Sequence, residues 1–258
     1  MKGRKRVSSR KLARELGISR TSVQRVLSDD LGLHAYKIQN EPLLTDEHKE
    51  KRIQFANWIR TNFRKEDTMK ILFSDEKMFD IDGVYNSQND RIWSANCSEV
   101  DAKGGIRQKR KFLQKVMVWL GVCSKGVSPL VIFENGTVDH DRYVKEVLPI
   151  ALKYGNDIFG SGLTYQQDGA MPHTHTKTQE WCINNFPCFL DKDHWPPNSL
   201  DLNPLDYCIW DTVTSKKTLI VALKRAVHKV SQDAVFESCS SWINRLYRLV
   251  QNKGNYLK

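Results

Sequence analysis

The sequence predicts an α/β domain, a mixed sheet with helices on its faces, preceded by a small all-α unit. Three observations carry this prediction. Short apolar, β-friendly runs recur between residues 70 and 190, interleaved with helical periodicity, in the order βββαβαβα. Ahead of them, residues 9–27 read as two short helices about a glycine. A chain of 258 residues is long enough for one good core and a small second domain.

The elements follow in chain order. Residues 1–7 are basic. Arg4, Lys5 and Arg6 can grip phosphates, enter a minor groove or serve as a nuclear signal, or belong to a solvated start. In SRKLARELGISRTSVQRVL, Leu12, Ala13 and Leu16 form one apolar face. Gly17 breaks the helix, Ile18 is expected in the turn's interior, and Ser19 caps the next helix. Val23, Val26 and Leu27 are expected to face inward. Ala13, Gly17, Val23 and Val26 stand at offsets of 4, 10 and 13, the helix-turn-helix pattern in which small residues let two helices pack closely. Arg20, Thr21, Ser22, Gln24 and Arg25 then face outward as a cationic, polar surface suited to phosphates and base edges.

Residues 34–42 read as an extended linker. A helix from Thr45 to Phe63 carries an apolar stripe of Ile53, Ala56, Ile59 and Phe63. Residues 84–115 are polar and end in a basic run. Residues 116–123 are apolar on both faces and read as a central strand. Residues 124–126 turn into a further strand over 128–135, completing a meander led by the strand through Asp75. Helices are expected over 141–154 and 176–185, with strands at 163–167 and near Phe189. Residues 219–256 are helical and basic, and Leu223, Val227, Val235, Phe236, Trp242, Ile243 and Leu246 are expected to pack on the sheet.

Three acids sit at pointed places. In KILFSDEKMFDI, Asp75 falls at or near a strand end. In LTYQQDGAMPH, Asp168 ends a short strand that Gly169 and Pro172 break. In WPPNSLDLNPLDYCIW, Pro196 and Pro197 forbid helix, Asn203-Pro204 starts one, and Asp206 lies in its first turn, where the helix dipole favours a carboxylate. Converging carboxylates repel and cannot all ionise cheaply without cations. Hard oxygen ligands suit Mg²⁺ or Mn²⁺, and a pair of such ions about 4 Å apart is the usual apparatus for in-line attack on a phosphodiester. His173 and Asn203 can order a water or a carboxylate beside them, or cap the local backbone. Glu76 should point to the opposite face of its strand. Asp201 reads as a loop-shaping residue.

Forty Lys and Arg against thirty Asp and Glu leave a net charge of +10, which suits a polyanionic partner. No apolar run approaches the roughly 20 residues needed to span a membrane. The six cysteines form no Cys-x-x-Cys pair and read as reduced thiols filling the core.

FSDEKMF, QQDGAMPH and WPPNSLDLNPLDY resemble, in order and spacing, the three acidic motifs of the Tc1/mariner transposases. Thirty-seven residues separate Asp168 from Asp206. With Asp as the third acid this resembles the mariner-like branch that includes the maT elements. The resemblance implies an RNase H-like catalytic domain over residues 67–258, a linker and amphipathic helix over 39–66, and a helix-turn-helix domain over 1–38. Relatives carry two helix-turn-helix units, and this one corresponds to the second, as in an N-terminally truncated copy. The resemblance further implies Asp75, Asp168 and Asp206 as catalytic residues holding two Mg²⁺ or Mn²⁺ ions. It implies a nuclear homodimer that binds terminal inverted repeats in double-stranded DNA, cuts them and joins the ends at TA target sites. Leu200 replaces the family's usual Pro, and the segment after Trp210 is about ten residues short. A catalytically inactive, truncated or domesticated DNA-binding protein and a nonspecific nuclease of the same fold are the alternative readings.

Overall fold

The computed structural model describes residues 8–33, 41–80, 115–133, 137–210 and 220–257. The chain divides into two compact units, Met1–Glu41 and Pro42–Lys258.

In the first unit, Ser8 caps α1 (Ser9–Leu16), accepting from the Lys11 N–H, and Gly17 ends the helix at φ 65°, a left-handed conformation that favours glycine. Ser19 caps α2 (Arg20–Arg25) by accepting from the Ser22 N–H, and a π-helical turn, Val26–Asp30, continues it. Val23 is buried as expected. Leu16, Ile18 and Val26 are exposed instead, at 62%, 44% and 42%. Two helices this short shield too little surface to bury one apolar face each. Arg20, Thr21, Ser22, Gln24 and Arg25 are all exposed. Arg4, Lys5 and Arg6 lie outside the described residues, as do residues 34–40 of the expected linker, the basic run after residue 106 and residues 211–219, where a shortened segment is expected.

The second unit is built on a mixed sheet in the order β3-β2-β1-β5-β6, with β4 also paired to β2. Its centre is β1 (Ile71–Asp80), antiparallel to β2 (Lys115–Cys123) and parallel to β5 (Thr164–Gln166), which is parallel to β6 (Cys188–Leu190). The strand expected over 128–135 is found as the shorter β4 (Val131–Phe133), and the expected turn before it runs into a two-residue strand, β3 (Gly126–Val127); both pair with β2. Pro129 lies in the gap, where it would have no N–H to give the ladder.

Alternation along the strands feeds two cores. Ile71, Phe73, Val118 and Leu120 face one side, where α3 (Asp46–Asn62) contributes Phe55, Ala56 and Ile59. The C-terminal helices Gln232–Ser240 and Trp242–Gln251 add Val235, Cys239, Trp242 and Leu246 there. Phe236, expected inward, is 48% exposed, because Val235 and Cys239 supply the helix's inward face instead. On the other side Leu72, Trp119 and Tyr165 meet Tyr143, Leu148 and Ala151 from the helical run His140–Arg142, Tyr143–Val147 and Leu148–Phe159. No helix among the described residues is long and apolar enough to cross a membrane.

Candidate active site

Asp75 lies within β1, opposite Leu120 of β2, rather than at the strand's end. Its other neighbour is shorter: β5 pairs with β1 only as far as Phe73 opposite Gln166. Beyond that point the β5 side of β1 is open, and Asp168 emerges two residues past the end of β5. The Ser74 hydroxyl donates to the Gln166 carbonyl at 2.8 Å and fixes this divergence.

The loop bearing Asp206 fills the gap from the other side. Pro196 and Pro197 stiffen it, and Asn198 turns it at φ 51°. Asn203 is buried. Its amide donates to the Ser74 carbonyl at 3.0 Å, and its side-chain oxygen accepts from the Leu205 N–H at 3.1 Å. One side chain therefore starts the π-helical turn Leu205–Ile209 and pins it to the residue before Asp75. π-turns of this kind are frequent at functional sites.

Asp75, Asp168 and Asp206 all line one open cleft of about 700 Å³. Lys51, Lys192 and the loop residues Trp195, Pro196 and Pro197 line it with them. The electrostatics are those of crowded acids. Burial raises the Asp75 carboxyl well above the usual range, and the charges of Asp206, Glu76 and Asp168 add to the effect. Burial likewise pushes Asp206 up to about 6, with Lys77 opposing and Asp168 assisting. Asp168 goes the other way. Burial would raise it, but His173 and the Ala170 N–H hold it below the ordinary value.

His173 is buried between two acids. Its Nδ1 lies 2.6 Å from Asp168 Oδ1, and its Nε2 lies 3.3 Å from Glu76 Oε1. Burial pulls its pKa down, yet the two carboxylates win and push it up to about 10. The Tyr143 ring packs on it at 4.4 Å. Glu76 does point away from the face of Asp75, as alternation demands, but the open edge lets it reach His173 from there. Nothing local in the sequence marks that contact, which spans 97 positions. Asp201 is a loop-shaping residue as read. It is buried and pairs through both oxygens with Arg52 of α3, at 2.9 and 2.6 Å. Arg52 itself gave no signal, since it sits on a helix rich in exposed charge.

Among the described residues no three His, Cys, Asp or Glu side chains close on a single point to form a ready ligand set. The donor set still fits a hard divalent cation. Three carboxylates share one cleft, and two are held back from ionisation chiefly by burial and by the charge of their neighbours, a state that a cation relieves.

No protein-family model matches the chain. In sequence it is similar to the Transposable element Tc3 transposase of Caenorhabditis elegans, 26% identical over 255 residues, covering 93% of this chain and 72% of that protein. Its fold matches a pre-cleavage Mos1 transpososome with a TM-score of 0.70 at 16% identity, covering 98% of this chain and 76% of the other. The chain thus resembles Tc3 transposase in sequence and Mos1 transposase in fold. The catalytic domain of Mos1 mariner transposase matches with a TM-score of 0.63 at 16% identity, spanning 85% of this chain and all of that one. The mixed sheet with flanking helices is thus the one that the Tc1/mariner resemblance leads to expect.

Proposed function

We propose that this chain is a metal-dependent DNA transposase of the cut-and-paste, mariner-like kind, acting on the ends of its own element. The observation that carries this reading is the convergence of Asp75, Asp168 and Asp206 on one cleft of this fold. Mos1 paired-end complexes have been determined with Mn and with Mg, which supports a divalent cation as cofactor here. Asp75, Asp168 and Asp206 would hold two such ions. When bound, they supply an activated nucleophile at neutral pH and stabilise charge on the phosphate.

The chain's own residues do the rest. His173 and the Ala170 N–H both take Asp168 Oδ1, which fixes the carboxylate and leaves Oδ2 to the cleft. Asn203 keeps the Asp206 turn against β1. Lys51 and Lys192 line the cleft and can turn from Glu47 and Asp193 to the DNA backbone. The outward face of α2, with Arg20, Thr21, Ser22, Gln24 and Arg25, reads the terminal inverted repeat, supported by the basic residues Arg4, Lys5 and Arg6. The first reaction hydrolyses a phosphodiester at the element end. In the second, the freed 3′-hydroxyl attacks target DNA at a TA step. The protein works as a homodimer in the nucleus.

The test is cleavage of labelled terminal-repeat DNA in Mg²⁺ or Mn²⁺ by wild type and Asp168→Asn. Nicking that disappears in the variant, with DNA binding retained, is the expected result. Binding without cleavage by wild type would instead identify a catalytically inactive DNA-binding protein.

A further inference from the structure

Trp210 is fully buried and packs edge-on against Phe79 of β1, with ring centroids 5.9 Å apart. Its indole N–H is not spent on packing. Nε1 donates to Asp75 Oδ2 at 2.6 Å, a contact bridging 135 positions. Its backbone N–H closes the π-helical turn onto the Leu205 carbonyl. The same turn carries Asp206. We propose that Trp210 is a positioning residue for Asp75, so that one turn of chain sets the first and third acids together.

Three features support this. Oδ2 is the oxygen held by Trp210, so Oδ1 is left for the cleft that Asp75 lines. The donor is neutral. An Arg or Lys in its place would orient the carboxylate and cancel the charge that a cation needs, whereas an indole orients it alone. The molecule also provides its own contrast. Trp119 is equally buried, yet its Nε1 has no acceptor among the described residues. Burial of a tryptophan here does not by itself require a carboxylate partner, so the Trp210–Asp75 bond is a specific pairing.

The inference rests on the metal-dependent reading above, and its test separates the two. The full chain is prepared as wild type, Trp210→Phe, Trp119→Phe, and with β-(3-benzothienyl)alanine at position 210, an isostere whose sulfur replaces the N–H. Mn²⁺ binding is measured by electron paramagnetic resonance, and cleavage of repeat DNA is followed against Mn²⁺ concentration. Losing a group that orients a metal ligand weakens metal affinity by about 10–100-fold. Both position-210 variants should show that loss, and half-maximal cleavage should need correspondingly more Mn²⁺. The rate at saturating Mn²⁺ and DNA affinity should stay near wild type. Trp119→Phe should bind Mn²⁺ like wild type. If Trp210→Phe fails to fold, the isostere decides. An isostere that binds Mn²⁺ as tightly as wild type overturns the proposal, as does an equal loss in Trp119→Phe. If wild type neither binds Mn²⁺ nor cuts, the functional reading itself falls and this one with it.

Discussion

Arg52 carries its charge into the protein interior, and its partners explain how it stays there. The guanidinium spans both oxygens of Asp201, donates to the Ser199 hydroxyl at 2.7 Å and reaches the Gly254 carbonyl at 3.0 Å. A buried pair of this kind gains little over apolar packing, but breaking it leaves an uncompensated charge. Arg52→Met should therefore lower stability by about 3–5 kcal/mol, read as an earlier midpoint in urea unfolding. A midpoint within error of wild type would show that Asp201 finds another partner. Residues of this type explain what sequence reasoning could and could not reach. Asp75, Asp168 and Asp206 stood out because proline, glycine and strand patterns around each are local. Arg52, Glu76 and Trp210 act on partners 97 to 149 positions away, and their neighbours in sequence look like an ordinary charged helix, a strand tip and a core position.

At the scale of elements, hydrophobic periodicity located the helices well, because caps and apolar stripes are written in short range. Ser19 caps α2, as expected, and Thr45 caps α3. The errors arose where one element's burial depends on another. β1 runs straight through Asp75 because β2 pairs with it from Phe73 to Asp80, although β5 stops short. Val26 and Ile18 remain exposed because their own pair of helices cannot cover them. What the first unit does offer outward is charge. Arg20 and Arg25 lie on the exposed face of α2. If that face meets phosphates, each arginine adds about 0.9 to the slope of log affinity against log salt. The double variant Arg20→Ala/Arg25→Ala should bind repeat DNA more weakly and with a salt slope lower by about two. An unchanged slope, measured by fluorescence anisotropy at several salt concentrations, would remove α2 from the DNA contact.

For the molecule as a whole, cysteines report on how the two sides of the sheet hold together. Cys123 and Cys182 are buried on one side, Cys239 on the other, and Cys188 is exposed. Burial pushes the Cys182 thiol up to about 12 and raises Cys123 and Cys239 as well, so all three lack thiolate as well as access. Under native conditions, iodoacetamide should label Cys188 well before them. In rising urea the three should become reactive together, because both cores share β1 and β2. Labelling of Cys239 at a urea concentration that still protects Cys182, seen by peptide mass spectrometry, would split the unit in two. The cluster around Arg52 gives this cooperativity a direction in time. Asp201 accepts from the Leu257 N–H at 2.8 Å, and Gly254 supplies its carbonyl to Arg52. The loop leading to Asp206 is therefore completed by residues that the ribosome delivers last among those described. A nascent chain already holds all three acids, but not the latch that sets the third. If the protein cuts DNA, a nascent chain still short of Gly254 and Leu257 carries the three acids without the contacts that set the loop of the third.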